Sequence, residues 1–187
     1  MRSLFLAAVT LLAAFSPFSA TTVQGAESHA QPLSSQNTTV SFVGKKTDGA
    51  HTGGFKEITG MIRWSGNDLA SAKIQVDIST ASLYSDNLAL TIHLKAPDFF
   101  DVKRHPKATF TSTAVSPVNK EKNIYRVQGQ LTLLGVTKSI EFPARILVDK
   151  ESLSLESEFK LDRTLFGMTY GKDKIDAEVE VKIAVKR

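Results

Sequence analysis

The chain of 187 residues contains no cysteine. Disulfide bonds, a thiol nucleophile, cysteine metal ligands and a lipid on an N-terminal cysteine are therefore excluded. Aromatic residues typical of membrane interfaces are also scarce, with one Trp and three Tyr, too few for the two aromatic girdles of an outer-membrane barrel. The sequence has no Gly-rich phosphate loop, G-x-S-x-G elbow or paired-carboxylate block. We therefore assign no catalytic residues.

A long apolar run extends from Leu4 to Phe15, behind the basic Arg2, and Ser16-Pro17 ends it. A basic start, a short apolar stretch and a small-residue exit are typical of a secretory signal peptide. The run is too short to span a membrane, which needs about 20 apolar residues. We expect residues 1–26 to be a signal peptide that directs the protein to the periplasm, with an uncleaved anchor as the alternative.

The charges of the remaining chain are balanced. The whole chain has 23 basic and 19 acidic residues. Without Arg2, 22 basic and 19 acidic residues remain. They are interspersed, which favours solubility and predicts no nucleic-acid partner. Because no cysteine can carry a lipid, we expect the protein not to be membrane-integral after cleavage. Residues 27–38 are rich in Ser and Gln, and we predict a flexible lead-in there.

From Thr39 onward the main pattern is period 2, apolar alternating with polar, which predicts β-strands. The last strand is the cleanest, with Ile175, Val179, Val181, Ile183 and Val185 on one face and charged residues on the other. Seven further strands are predicted near residues 40–42, 51–64, 71–79, 107–115, 125–133, 140–148 and 153–161. Gly53-Gly54 and Gly60 predict a bulge or bend in the second strand.

The segment Ser85–Val102 departs from this alternation. Leu88, Ile92 and Leu94 have near-helical spacing, Ser85 or Asp86 offers an N-cap, and Pro97 ends the pattern. We predict one short helix between the third and fourth strands.

Eight strands with one apolar face form either a two-sheet sandwich or a closed barrel, and the alternation does not choose between them. The apolar register also contains small residues, which would leave volume inside a barrel. The alternative is that large side chains from opposite strands fill the space. These small residues are Ala108, Gly129, Ala144, Ser157 and Ala177.

Four blocks resemble the YceI-like family of small secreted proteins. They are VSFVGKK…HTGGFKEITG (40–60), LTIHLKAPDFFDVKRHPKATF (90–110), GQLTLLGVTKSIEFPA (129–144) and FKLDRTLFGMTYG (159–171). The resemblance implies an all-β, antiparallel, eight-stranded lipocalin-like barrel over residues 39–187. It also implies a polyisoprenoid or similar long-chain lipid ligand, including quinone-type molecules, and no other cofactor.

Two sets of side chains are candidates for contact with such a ligand, each against the alternative of ordinary core packing. The tunnel set is Phe42, Phe55, Ile62, Trp64, Ile78, Phe110, Leu131, Phe142 and Phe159. The mouth set is Phe99, Phe100, Arg163, Met168 and Tyr170.

Within the mouth set, Phe99 and Phe100 either line the opening or, as we favour, plug the space beneath the helix. Arg163 either binds a polar head group or, as we favour, pairs with Asp98 or Asp101. Lys95 and Lys103 are weaker head-group candidates.

The histidines His29, His51, His93 and His105 lack the spacing of a metal site. The predicted function is a periplasmic lipid carrier and not an enzyme. The alternatives are an outer-membrane structural barrel, or an enzyme that uses His51 or His93 as a base. Whether two barrels pair as a homodimer is left open.

Overall fold

The computed structural model of the chain describes residues 27–66, 68–149 and 151–187. The predicted signal peptide, residues 1–26, lies outside the described residues and stays a prediction. The described residues contain no helix that is both long and apolar enough to cross a membrane.

The described part of the chain forms eleven strands, one α-helix and two short 3-10 turns. The strands are β1 (Ser28–Ser34), β2 (Thr38–Lys46), β3 (Gly49–Phe55), β4 (Ile58–Ser65), β5 (Asp68–Ser79), β6 (Leu83–Ser85), β7 (Lys107–Asn119), β8 (Ile124–Leu133), β9 (Val136–Asp149), β10 (Ser152–Asp162) and β11 (Ile175–Val185). Helix α1 (Leu88–Lys95) lies between β6 and β7, and the 3-10 turns are Thr80–Ser82 and Arg163–Phe166.

All strands belong to one antiparallel sheet in the order β1-β4-β5-β7-β8-β9-β10-β11-β2-β3-β6. The sheet curls into a barrel-like shape, as predicted, and the side chain of Gln31 in β1 reaches back to β10. Its amide accepts a hydrogen bond from the Leu153 nitrogen (2.7 Å) and donates one to the Leu153 oxygen (2.9 Å). One side chain thus joins β1 to a strand 122 residues away in the chain.

The strand count differs from the predicted eight. Lys56 and Glu57 interrupt the predicted strand 51–64 and divide it into β3 and β4, which pair with different neighbours. The bend therefore follows the Gly53-Gly54 pair. The three-residue strand β6 was not predicted, because three residues are too few for a period to show.

The prediction of a flexible lead-in over residues 27–38 was wrong. Residues 28–34 form β1, which pairs with β4 from Ser28 opposite Ser65 to Ser34 opposite Thr59. Leu33 and Gln31 of this strand are buried. The polar composition of this segment and its Pro32 do not indicate a strand. Strand β1 is stabilised by its contacts with β4 and β10.

Helix α1 ends before Pro97, as predicted, but Asn87 is its N-cap and not Ser85 or Asp86. The Asn87 side chain accepts a hydrogen bond from the Leu90 nitrogen at 3.0 Å. Ser85 ends β6 and donates its hydroxyl hydrogen bond to the Asn87 oxygen. The helix therefore starts one or two residues later than expected.

Tight turns fix the register of neighbouring strands. Leu134 and Gly135 connect β8 to β9 and both have positive φ, 53° and 73°, as in a two-residue type I′ hairpin. Leu133 and Val136 form the closing pair. The predicted antiparallel pairing across residues 119–122 is likewise observed between β7 and β8.

The two ends of the curled sheet differ. We call the end with the β4–β5, β7–β8 and β9–β10 turns the closed end, because the main core fills it. That core includes Trp64, Leu69, Val115, Ile146 and Leu153. The other end, which we call the open end, carries α1 and a smaller cluster of Leu83, Leu94 and Phe99.

Candidate ligand-binding cavity

A cavity of about 230 Å³ lies inside the curled sheet, between the closed-end core and α1. Inward-facing side chains of the strands form its sides. Leu94, Phe99 and Phe100, from α1 and the segment after it, cover the open end. No polar atom of the described wall is accessible from the interior, so the cavity offers only apolar contact.

Several wall side chains are less buried than the core although both point inward. Val76, Phe110, Ile140, Phe159 and Ile183 pack against the main core but remain only partly buried. Because protein interiors are normally packed to crystal-like density, apolar surface left accessible inside the sheet shows space that this chain does not fill.

Three aromatic rings form a continuous surface across β7, β9 and β10. Phe142 stacks on Phe159 with ring centroids 4.6 Å apart and planes 11° apart, and Phe110 lies against Phe142 at 5.6 Å. Their strands are held by backbone pairing, so the rings present a fixed apolar face to the cavity.

Only one of the five small residues in the apolar register lies on the cavity wall. Ala108 lines the wall. A Cβ at Gly129 would collide with the Phe110 ring, so that ring occupies the space.

The other three small residues leave no volume either. Ala144 is part of the closed-end core, and the Ser157 hydroxyl donates to the Pro143 oxygen at 2.6 Å. Ala177 is exposed where β11 shifts register between Ile175 and Val179. The predicted source of the volume was therefore wrong for four of the five.

Eight of the nine predicted tunnel residues line the cavity: Phe42, Phe55, Ile62, Ile78, Phe110, Leu131, Phe142 and Phe159. Trp64 does not line it. Trp64 lies in the closed-end core, 2% exposed, where its ring stacks on His29 with centroids 5.2 Å apart. Contact of the eight with a ligand stays a prediction.

Four of the five predicted mouth residues also line the cavity: Phe99, Phe100, Arg163 and Met168. Phe99 is buried, and Phe100 meets Phe55 edge to face at 5.7 Å. Met168 is also buried. Tyr170 lies outside the cavity, against His93 at 4.9 Å and Phe99 at 5.3 Å.

Arg163 pairs with neither Asp98 nor Asp101, so the favoured ion pair was wrong. Its buried guanidinium donates to the Met168 oxygen at 2.6 Å, the Asp176 oxygen at 3.0 Å and the Ile175 oxygen at 3.1 Å. Burial lowers the pKa of Arg163, and the neighbouring Asp162 partly opposes this. The arginine thus fixes the loop before β11.

The two candidate catalytic histidines each bind a carboxylate outside the cavity wall. His51 Nδ1 lies 3.0 Å from Asp86 Oδ1, and His93 Nε2 lies 3.2 Å from Asp98 Oδ2. The Thr52 backbone N–H, and then His51, hold the pKa of Asp86 below its ordinary value of 3.8. Over the residues that are described, no group of three or more His, Asp and Glu side chains could hold a metal ion.

Sequence reasoning missed much of the wall, although the signal was the same alternation. The missed aliphatic residues include Val40, Val76, Leu133, Ile140, Leu155, Leu161, Val179, Val181 and Ile183. The predicted tunnel set consisted mainly of aromatic residues. The apolar residues on the inward face of β11 were equally good candidates for the cavity wall.

The fold and the sequence both relate this chain to known proteins. The structure is similar to BcnA of Burkholderia cenocepacia, with a TM-score of 0.73 at 24% identity over 79% of this chain and 94% of that one. It is similar to the Campylobacter jejuni YCEI protein, with a TM-score of 0.56 at 25% identity over 72% and 85%. A polyisoprenoid binding domain from Saccharophagus degradans, implicated in plant cell wall breakdown, gives 0.65 at 14% identity over 86% and 97%.

Sequence relatives agree with the structural ones. A UPF0312 protein of Pseudomonas putida strain W619 is 41% identical over 92 residues, so the match spans about half of each chain, 49% of this one and 47% of that one. Protein YceI of Salmonella arizonae is 30% identical over 140 residues, 72% of both. Residues 32–187 match the YceI-like domain family, and the chain therefore belongs to that family.

Proposed function

We propose that this protein binds a polyisoprenoid or similar long-chain lipid inside the curled sheet, with quinone-type molecules within the same ligand class. The observation that carries the proposal is the cavity whose accessible wall is apolar throughout. An unfilled apolar interior favours an apolar guest over a polar one. The polyisoprenoid binding domain of Saccharophagus degradans shares this fold, which supports the ligand class.

The affinity would come from the tail of the lipid. Burial of apolar surface stabilises by about 25 cal/mol per Å², and the Phe110–Phe142–Phe159 surface offers a large contact area. Because no polar atom of the wall is accessible, a polar head group would lie beyond the mouth. Selectivity would then depend on tail length and shape.

The proposed role is that of a carrier in the periplasm, and the predicted signal peptide of residues 1–26 supports that location. A carrier needs no cofactor other than its lipid. An enzyme acting inside the cavity would need an acid or base that touches its substrate, whereas His51 and His93 are not among the wall residues. Replacing both with Ala should leave lipid binding intact.

The orientation of the strands argues against the outer-membrane alternative, in which the apolar faces would meet lipid. Val181 and Ile183 of β11 face the cavity, while Glu178 and Lys182 of the same strand point outward and are exposed. Lys182 pairs with Glu158, and Lys160 pairs with Glu178, on that outer face.

Organic extraction of the purified protein followed by mass spectrometry tests the proposal. We expect a co-purified long-chain lipid, or uptake of a prenyl alcohol by the emptied protein. Val181→Trp should block uptake because the indole would occupy the cavity. Lys182→Trp, on the outer face of the same strand, is the matched control and should bind normally. A wild-type protein that stays empty when offered a prenyl lipid would refute the proposal.

A further inference from the structure

Exposed large apolar side chains collect at the open end. Six such side chains are exposed in the described part of the chain, and only Val118 lies at the closed end. The other five lie on α1, on β6 beside it, or in the segment 163–171: Tyr84, Leu88, Ile92, Leu165 and Tyr170. Isolated exposed apolar residues need no explanation, but a group at one end indicates an interaction surface.

The two most exposed of these residues form the outer face of α1. Leu88 and Ile92 are 77% and 65% exposed, and their spacing of four residues puts them on the same side of the helix. Leu94 and Leu90, on the inner face, pack in the cluster that contains Phe99. The same helix therefore covers the cavity with one face and presents aliphatic side chains to its surroundings with the other.

The side chains of the helix itself favour an anionic partner, because Lys95 and His93 in its last turn are basic. Helix α1 contains no acidic residue. Three carboxylates flank it: Asp101 pairs with Arg104, while Asp86 and Asp98 each contact a histidine, His51 and His93, that carries charge only when protonated. In the described part of the chain, Lys95 and Lys103 form no ion pair.

We propose that the outer face of α1 docks on an anionic lipid surface, with Leu88 and Ile92 inserted between head groups and Lys95 and Lys103 beside them. Aliphatic side chains that enter the head-group region and basic side chains that attract anionic lipids both contribute to binding at a membrane interface. A second copy of the chain fits less well, because a stable protein interface buries about 1,600 Å², far more than two side chains cover. Docking of the outer face of α1 is distinct from lipid binding inside the cavity, since docking is measurable without any guest in the cavity.

Flotation of the purified exported protein with vesicles of phosphatidylglycerol and phosphatidylethanolamine tests the docking. We expect wild-type protein to float with these vesicles and bind phosphatidylcholine vesicles more weakly. Leu88→Gln/Ile92→Gln should weaken binding at least about tenfold, because burial of even one such side chain changes an equilibrium constant by that order. Lys95→Gln and Lys103→Gln should each cost up to about fivefold, and less at high salt.

Val118→Gln is the matched control, because it removes an exposed aliphatic side chain from the closed end; it should float like wild type. Unchanged thermal melting of each variant shows that its fold is intact. Equal flotation of Leu88→Gln/Ile92→Gln and wild type would overturn the inference. So would light scattering that shows a dimer which that double variant dissociates, since the face would then bind a second copy. Neither result bears on guest uptake, which is measured without vesicles.

Discussion

Trp64 and Leu153 at the closed end are 2% and 1% exposed, whereas Phe110 and Ile183, which also point inward, are only partly buried. Strands such as β7, β8 and β9 run through both regions, so the difference does not arise from secondary structure. It arises from what meets at the centre of the sheet. Side chains from opposite strands meet at the closed end, while toward the open end they leave about 230 Å³ unfilled beneath α1.

This contrast shows that one sheet contains both a packed core and an unfilled cavity. The closed end provides a packed core that does not depend on a guest. The cavity wall keeps apolar surface accessible, which costs hydrophobic stabilisation and leaves room for a ligand. We therefore expect mutations in the two regions to affect stability and binding differently.

The largest expected effect is a loss of stability at the closed end. Leu153→Ala should lower the free energy of unfolding by about 2–5 kcal/mol, because it creates a cavity in a packed core. Leu131→Ala, on the cavity wall, should lower it by only about 1–2 kcal/mol, because Leu131 already borders unfilled space. Chemical denaturation measures both. Equal losses of unfolding free energy would show that the cavity wall is packed as tightly as the closed end.

A somewhat smaller effect is expected where Arg163 holds the open end. Arg163→Met leaves the carbonyls of Met168, Ile175 and Asp176 without their donor and should cost about 2–3 kcal/mol, the range for hydrogen bonds to charged groups. Amide exchange in residues 167–176 should rise most.

Arg163→Lys is the informative control for that site. An ammonium group keeps the charge but lacks the planar fork that reaches several carbonyls at once. It should therefore restore little of the stability, and full restoration by lysine would show that charge alone matters there.

The junction between β1 and β10 should give a further, smaller effect. Gln31→Ala removes the hydrogen bonds to the Leu153 nitrogen and oxygen and should cost about 1–2 kcal/mol. The exposed Gln36 is a matched control, and Gln36→Ala should change stability by less than about 0.5 kcal/mol. Unfolding curves that coincide for the two variants would mean that β1 is held by its pairing with β4 alone.

The smallest expected effect is a pH response at the open end. The pKa of Asp86 lies below its ordinary value of 3.8 because the carboxylate accepts hydrogen bonds from the Thr52 N–H and from His51. A lowered pKa in the folded state means that the contribution to stability is present above 3.8 and is lost as the pH falls through the folded pKa. The Thr52 amide resonance should therefore shift in acid, below pH 3.8, and should not shift in Asp86→Asn. An identical titration in that variant would assign the shift to another group.

Much of the fold could be predicted from local pattern. Alternation identified the inward faces of β5 and β8–β11, and Pro97 correctly ended α1. Strand β1 escaped prediction because its stability lies in contacts with β4 and with Leu153, which are remote in the sequence. Eight of nine tunnel residues were found on the wall because the period places them on the inner face, whereas Trp64 shares that face but lies at the filled end.

The sequence by itself determined which face of each strand is apolar, since side chains alternate with a period of two whatever the strand pairs with. It did not determine how far the interior is filled, because that depends on side chains from strands far apart in the chain. Only the tertiary structure decided that Phe110 occupies the space above Gly129 and that Arg163 binds three carbonyls and no carboxylate. It also decided that α1 covers the cavity with Leu94 while Leu88 and Ile92 remain outside. Periodicity is a local property of the chain, whereas volume is a property of the whole sheet.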